Sequence, residues 1–236
     1  PRVEQLPAIG GFVDPNYEAL VAMRPDLVVL LESNSGAQRK LDSLGVPTLA
    51  VADETLDDIT AAIRSIGRRC GARGRARRLA GELRARIARL EADAAAEDAG
   101  NERRPRVLVC LGRNESGDQP VAFYAATANS LYGELIELAG GEPALGERAA
   151  LYPLLAVEGV FALDPDIVIE LAGAGDPAFA GGQPQPPTGA LASLRALRND
   201  NWHLVEGEWA VRPGPRVIGL AETIAKAIAE WRGRTQ

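Results

Sequence analysis

The chain has 236 residues, 46% of them hydrophobic, with 26 basic and 32 acidic side chains and a formal charge of −6. That length and apolar content suit one large domain or two lobes of about 100 residues each. The acidic balance argues against a nucleic-acid or anionic-membrane binder, whose phosphate contacts need a concentrated basic surface.

No apolar run approaches the roughly 20 residues that cross a bilayer, and no charged-then-apolar signal segment opens the chain. The first residue is Pro1 rather than Met, so the start is expected to have been processed, cut or left out, which is compatible with an exported protein stripped of its signal.

In chain order, residues 27–31 are a continuous apolar run between Pro25-Asp26 and the Ser33-Asn34-Ser35-Gly36 turn, which predicts a strand buried on both faces. A short helix over 38–44 follows, Gly45-Val46-Pro47 turns the chain, and residues 48–51 read as a second strand. Asp57 and Asp58 open a helix over 59–66, with Ile63 and Ile66 at helical spacing and the acids where a helix dipole favours them. This β-α-β-α order signals a parallel sheet. Residues 72–97 contain no proline, and Leu79, Leu83, Ile87 and Leu90 form one narrow stripe, which predicts a single helix about 39 Å long at ~1.5 Å per residue. A helix that long between two α/β units reads as a spacer joining lobes. The basic residues concentrate in 68–89, read as a solvated helix face.

Residues 98–105 stop the helix, and 106–111 begin a new sheet. A helix over 131–139 is closed by Gly140-Gly141; then come a helix over 157–163 and a strand over 167–171. The Gly- and Pro-rich stretch 173–188 predicts a mobile surface loop. After it come a helix over 191–197, a strand over 202–205, a Glu206-Gly207-Glu208 turn and a terminal helix over 217–231.

One segment occurs twice. Glu18, Ala22, Pro25-Asp26 and Val28 recur as Glu158, Ala162, Pro165-Asp166 and Val168, an offset of 140 residues, with apolar residues filling the same places between them. The helix-stop-strand unit has been used in both halves.

Catalytic signatures are missing. There is no Gly-x-Ser-x-Gly elbow, no Walker A sequence and no Gly-x-Gly-x-x-Gly after a strand; Gly112-Arg113-Asn114-Glu115-Ser116-Gly117 has the wrong spacing. The single histidine, His203, cannot anchor a conventional transition-metal site alone and reads as a surface or hairpin residue. Cys70 and Cys110 flank the long helix, too far apart for a disulfide, and read as small buried residues. The weight moves from catalysis toward binding, with no catalytic and no metal residues assigned. A two-lobed α/β enzyme for a nucleotide or sugar phosphate is the alternative.

Several motifs in their order resemble one family. They are Gly10-Gly11-Phe12-Val13-Asp14-Pro15-Asn16-Tyr17-Glu18 leading into Pro25-Asp26; Leu44-Gly45-Val46-Pro47; the long helix; Asn129-Ser130-Leu131-Tyr132-Gly133 leading to Leu138-Ala139-Gly140-Gly141; Glu158 leading into Pro165-Asp166; and Trp209-Ala210-Val211-Arg212-Pro213-Gly214-Pro215-Arg216. The chain resembles the periplasmic binding proteins that deliver cobalamin, ferric siderophores or haem to ABC importers, the class with a helical backbone between its lobes. The resemblance implies two Rossmann-like lobes with parallel sheets, divided as residues 1–69, a connecting helix over 70–98, and 102–236. Family members carry a strand, a helix and a strand before the Gly-Gly-Phe segment, so the resemblance implies a first lobe that lacks them in this sequence, whether they were cut away or lie outside it. It further implies a monomer with no intrinsic cofactor, a corrinoid or iron chelate as ligand, an ABC permease dimer as partner, and no nucleic acid. The expected location is the periplasm or extracellular face, with a lipid anchor in the full-length protein.

In that family a glutamate on each lobe meets permease arginines, and the matching positions are Glu18 and Glu158. Ligand-binding candidates are Phe12, Tyr17, Tyr124, Asn129, Tyr152, Trp209 and Arg212. Phe123 and Tyr132 are further aromatic cleft candidates, Asn34 and Asn114 further amide donors. Arg212 ranks ahead of Arg216 for ligand contact because Arg216 also suits a structural pairing at the last helix.

Overall fold

The computed structural model describes residues 6–11, 14–100, 103–116, 119–172 and 189–235. Phe12 and the loop expected over 173–188 lie outside the described residues. In the amino-terminal half, α1 (Tyr17–Ala22), β1 (Val28–Leu31), α2 (Ser35–Ser43), β2 (Thr48–Val51) and α3 (Leu56–Arg69) follow one another. β1 and β2 pair in parallel, from Val28↔Thr48 to Leu31↔Val51, with α2 as the crossover such pairing requires. The expectation that this first strand is buried on both faces fails: Val29 is 43% exposed. A two-stranded sheet cannot cover itself, and its local core is Leu20, Leu41 and Val46, with Tyr17 and Val28 packed against it.

α3 starts earlier than its apolar spacing suggested, because Thr55 is a cap. Its side chain accepts the Asp58 backbone N–H at 3.0 Å, and the Asp58 carboxylate accepts the Thr55 N–H at 3.1 Å. α4 (Arg73–Asp98) is the single 26-residue helix expected, but its contact stripe is shifted. Ala76, Ala80, Leu83 and Leu90 are buried, whereas Leu79 is largely exposed. The cause is the tight crossing with α3, where a Cβ placed on Gly67 would come within 2.2 Å of the Ala76 Cβ. Only small residues fit there.

The carboxy-terminal half contains β3 (Arg106–Ser116), β4 (Gln119–Ala125), α5 (Leu131–Leu138), β5 (Glu142–Pro143), β6 (Leu154–Ala156), α6 (Val157–Leu163), β7 (Ile167–Ala172), α7 (Arg195–Arg198), β8 (Trp202–Glu206), α8 (Glu208–Val211) and α9 (Ile218–Thr235). Among the described residues its sheet runs β6-β4-β3-β7-β8, with β5 also on β3. β7 and β8 are parallel to β3, but β4 and β6 are antiparallel, so the sheet is mixed rather than purely parallel. β3 continues past the apolar run that ended at Leu111 into a hairpin, through an irregularity at Gly112, whose φ of +129° suits glycine.

Side chains alternate across this sheet. Val107, Val109, Ile167, Ile169 and Leu171 face α5 and α9, and the same core takes in Leu56 and Ile59 of α3 and Leu83 and Leu90 of α4. Leu108, Cys110, Phe123, Val168 and Trp202 form the opposite core. The first core runs without a break from the connecting helix into the carboxy-terminal half. α9 reinforces it: the buried Arg232 donates to Glu97 at 2.5 Å and Asp98 at 2.7 Å, both at the end of α4.

Three small expectations are corrected. Cys70 is exposed rather than buried, while Cys110 is buried as expected, and both are free thiols. His203 sits half-buried within β8 rather than at the surface or in a hairpin, and burial lowers its pKa. Residues 191–197 form a 3-10 turn (Gly189–Ser193) followed by α7 rather than one helix.

In the second core Glu170 is fully buried; it accepts from Arg113 Nε at 2.6 Å and from the Trp202 indole N–H at 2.9 Å. Glu170→Ala removes the buried carboxylate that the Arg113 guanidinium and the Trp202 indole share, and we expect a loss of about 3–5 kcal/mol in urea melts. Glu170→Leu with Arg113→Met removes both charges and is expected to recover most of it; equal destabilisation by the two variants would show that the pairing is not what matters.

Candidate functional site

The repeated segment folds the same way twice. α1 and α6 each end in a left-handed residue, Arg24 at φ 46° and Asp164 at φ 41°, at the same offset. A proline follows and stops the helix, and then comes the strand, β1 or β7. Each helix leads into its strand from the strand's carboxyl end, the side on which open α/β sheets bind ligands. Glu18 and Glu158 are the second residues of α1 and α6, both exposed and both in the first turn. The lower parts of the repeat have diverged. Asp166 is buried and paired with Arg103 at 2.8 Å and Arg195 at 3.2 Å, whereas Asp26 is exposed.

Between the two units, the chain leaving β2 supplies Asp53 and Glu54. Burial, then the Glu54 and Asp58 charges, push the Asp53 carboxyl above its ordinary value. Across from them stands an aromatic wall. The Tyr152 phenol is pushed up to about 12 by burial and by Asp53 and Glu54. Burial, Tyr152 and Asp53 likewise raise Tyr132. Asp53 and Glu54 are thus near enough to Tyr152 for their charges to act on its phenol. The two rings meet edge to face, 5.8 Å apart, and the Tyr132 hydroxyl donates to the Ala210 carbonyl at 3.1 Å. A second bridge lies beside the first: the Glu134 carboxylate on α5 accepts the Leu56 N–H at 2.8 Å, adding a cap to α3 from the other half of the molecule.

Trp209, on α8, packs half-buried at the margin of the same core as Tyr152. Gly207 positions it: at φ +134°, a Cβ there would lie 2.6 Å from the indole Nε1. On its other side the ring rests near Gly219, where a Cβ would be 3.4 Å away.

The remaining candidates divide. Phe123 and Tyr132 are core residues, fully buried rather than lining a cleft; Phe123 stacks tilted on Trp202 at 5.8 Å. Tyr17 packs on the small amino-terminal core. Tyr124 is 45% exposed on β4, opposite Leu154 of β6. The Asn129 amide is engaged by the backbone of Arg148, donating to its carbonyl at 3.0 Å and accepting its N–H at 3.1 Å, so it staples a loop. Arg212 is exposed and paired with Glu208 one turn away. Arg216 is exposed, Asn114 lies in the β3 hairpin opposite Ala122, and Asn34 ends the 3-10 turn after β1. No cluster of three His, Cys, Asp or Glu side chains able to hold a metal occurs among the described residues.

Asp53, Glu54 and Glu134 were missed in the sequence. The signal for the first two was their place directly after a predicted strand; Glu134 carried none.

Known proteins of similar sequence and shape fit this geometry. The family model described as periplasmic binding protein matches residues 1–180. A vitamin B12-binding protein of Pectobacterium atrosepticum is 24% identical over 238 aligned positions, covering 98% of this chain and 78% of the relative. The high-affinity heme uptake system protein IsdE of Staphylococcus aureus is 24% identical over 171 positions, covering 72% of this chain and 55% of its own. Among solved structures, the periplasmic vitamin B12 binding protein BtuF of Vibrio cholerae superposes with a TM-score of 0.77 at 20% identity, covering 98% of this chain and 85% of that one. S. aureus IsdE complexed with heme gives 0.73 at 19% identity, covering 96% and 86%.

Gly207→Ala tests the local geometry. A methyl group at that φ, in contact with the indole, is expected to cost about 1–3 kcal/mol in thermal or urea melts and to red-shift Trp209 emission as the ring is displaced. An unshifted spectrum at full stability would show that the glycine does not set the ring.

Proposed function

This chain belongs to the periplasmic binding protein family, and we propose that it captures a corrinoid or iron chelate in the crevice between its halves and hands it to a dimeric ABC permease. The observation that carries this reading is the family match over residues 1–180, with Tyr152 and Trp209 half-buried at the margin of one core and Asp53 and Glu54 close enough for their charges to act on the Tyr152 phenol. That crevice lies on the face bearing Glu18 and Glu158. Aromatic walls with a few polar groups suit a flat, largely apolar ligand with hydrogen-bonding edges. Tyr152 and Trp209 form the wall we assign to the ligand, joined by Asp53 and Glu54. Tyr17, Tyr124 and Arg212 are peripheral contacts, and Phe12 belongs with them by its place in the motif. Glu18 and Glu158 present matched charges to two equivalent permease subunits.

In this reading residues 1–69 and 102–236 are the lobes and 70–98 the connector, although α3 shares its core with the carboxy-terminal half. The protein works as a monomer at the periplasmic or extracellular face of the membrane, held there by a lipid anchor in its full-length form. Relatives named as a vitamin B12-binding protein and a heme uptake system protein support capture and delivery; neither favours the nucleotide- or sugar-phosphate-binding enzyme.

Fluorescence titration with cyanocobalamin, haem and a ferric siderophore tests the proposal. One ligand class is expected to quench emission saturably, most of the change vanishing in Trp209→Phe. Tyr152→Ala should weaken that ligand about tenfold, a loss of ~1.4 kcal/mol. No saturable response to any of the three from the full-length protein would end this reading.

A further inference from the structure

α3 and α4 meet at a corner, and both sides of it are basic. Between Thr60 and Gly81 the sequence holds seven arginines and no acid, in a chain whose net charge is −6. Arg64 and Arg68 on α3 and Arg73 and Arg77 on α4, with Ala76 between them, line one open concavity of about 500 Å³. Arg68 donates to the Ser65 hydroxyl at 2.9 Å. None of the four pairs with a carboxylate among the described residues. Further along α4 the pattern changes, and Arg86 and Arg89 pair with Glu222 and Asp93.

Folding accounts for only part of this charge. Arg68 and Arg69 close α3, where the helix dipole favours cations. Arg73 and Arg77 stand in the opening turns of α4, the end at which the dipole disfavours them, and no acid occupies its first turn. Arg64 with Arg68, and Arg73 with Arg77, are also like charges four residues apart, which repel. An anion from outside the chain would relieve both costs.

The corner's place matters as much as its charge. α3 leaves the crevice at Leu56, and its 14 residues carry the chain about 21 Å from it. The arginines therefore lie at the far end of α3 from Asp53 and Glu54. We propose that this corner adsorbs on the anionic phospholipid surface of the membrane beside which the protein works, its guanidinium groups taking headgroup phosphates. Guanidinium forks match phosphate oxygens, and the acidic crevice face is repelled by the same surface. Adsorbed this way, the protein holds its crevice away from the bilayer and open to ligand, and it must turn over to dock. The inference rests on the transport reading only for placing the chain at a membrane.

The test is co-sedimentation of the full chain with phosphatidylcholine vesicles, with and without phosphatidylglycerol, in the absence of ligand and permease, so that its outcome is independent of the ligand titration. Binding is expected only to the vesicles containing phosphatidylglycerol, and to fall steeply with salt. An arginine at an anionic leaflet contributes about fivefold to partitioning, so R68Q/R73Q/R77Q should lower it on the order of 100-fold. R84Q/R89Q/R198Q, which removes the same charge elsewhere, should lower it no more than about fivefold. Unaltered circular dichroism melts would establish that both are folded; if the triple variant does not fold, single exchanges at Arg68, Arg73 and Arg77 should each cost about fivefold. Equal losses in the two triple variants, binding to phosphatidylcholine alone, or displacement by inorganic phosphate at constant ionic strength would overturn the proposal, the last by revealing a small-anion site.

Discussion

The attachment of α4 to the carboxy-terminal core is the constraint on which the rest depends. Leu83 and Leu90 of this helix belong to the same core as Val107, Ile167 and Ile224, and Arg232 grips its last turn through Glu97 and Asp98. Arg86 reaches Glu222 of α9 at 2.7 Å. Separating α4 from α9 would expose apolar surface and break the Arg232 pairs with Glu97 and Asp98, at a cost of several kcal/mol. α3 is bound to α4 in turn through the close Gly67–Ala76 crossing, and the Leu56–Glu134 hydrogen bond ties its start to α5. The chain leaving β2 at Asp53 and Glu54 is therefore tied through α3 to the half that carries Tyr152.

That rigidity gives the repeated helix-strand unit its meaning. A glutamate at the second position of a short helix is ordinary when it occurs once, since the helix dipole favours it. Two of them at matched positions of a repeated unit are what the docking proposal rests on. The charges on the molecule are also segregated. Asp53 and Glu54 lie just before the start of α3, while the arginine corner closes its other end. A net charge of −6 describes neither surface.

The elements that were legible in the sequence are those whose periodicity is undisturbed. The bounds of β2 and α6 coincide with their apolar runs, and α4 was evident from its unbroken helical composition. The failures have particular causes. The β3–β4 hairpin was invisible because Arg113-Asn114-Glu115-Ser116 carries no apolar alternation. Leu79 was placed in the contact stripe because a leucine is the stronger signal, yet the close α3 crossing selects Ala76 and Ala80. Phe123 and Tyr132 were read as cleft aromatics because composition cannot tell which face of a sheet or helix a ring occupies. Asp53 and Glu54 became visible as a site only once Tyr152 was set opposite them by some 100 intervening residues of fold. The arginine cluster was plain in the sequence, but its convergence from two helices on one concavity is tertiary.

The most direct test of the account is transport with the paired charges reversed. In proteoliposomes holding the permease, Glu18→Lys with Glu158→Lys should abolish uptake while the affinity for ligand, measured by Trp209 quenching, stays unchanged. Either single exchange should weaken docking less than the pair. Undiminished uptake by the double variant, or a loss of ligand affinity equal to the loss of uptake, would contradict the assignment of one docking acid to each half of the chain.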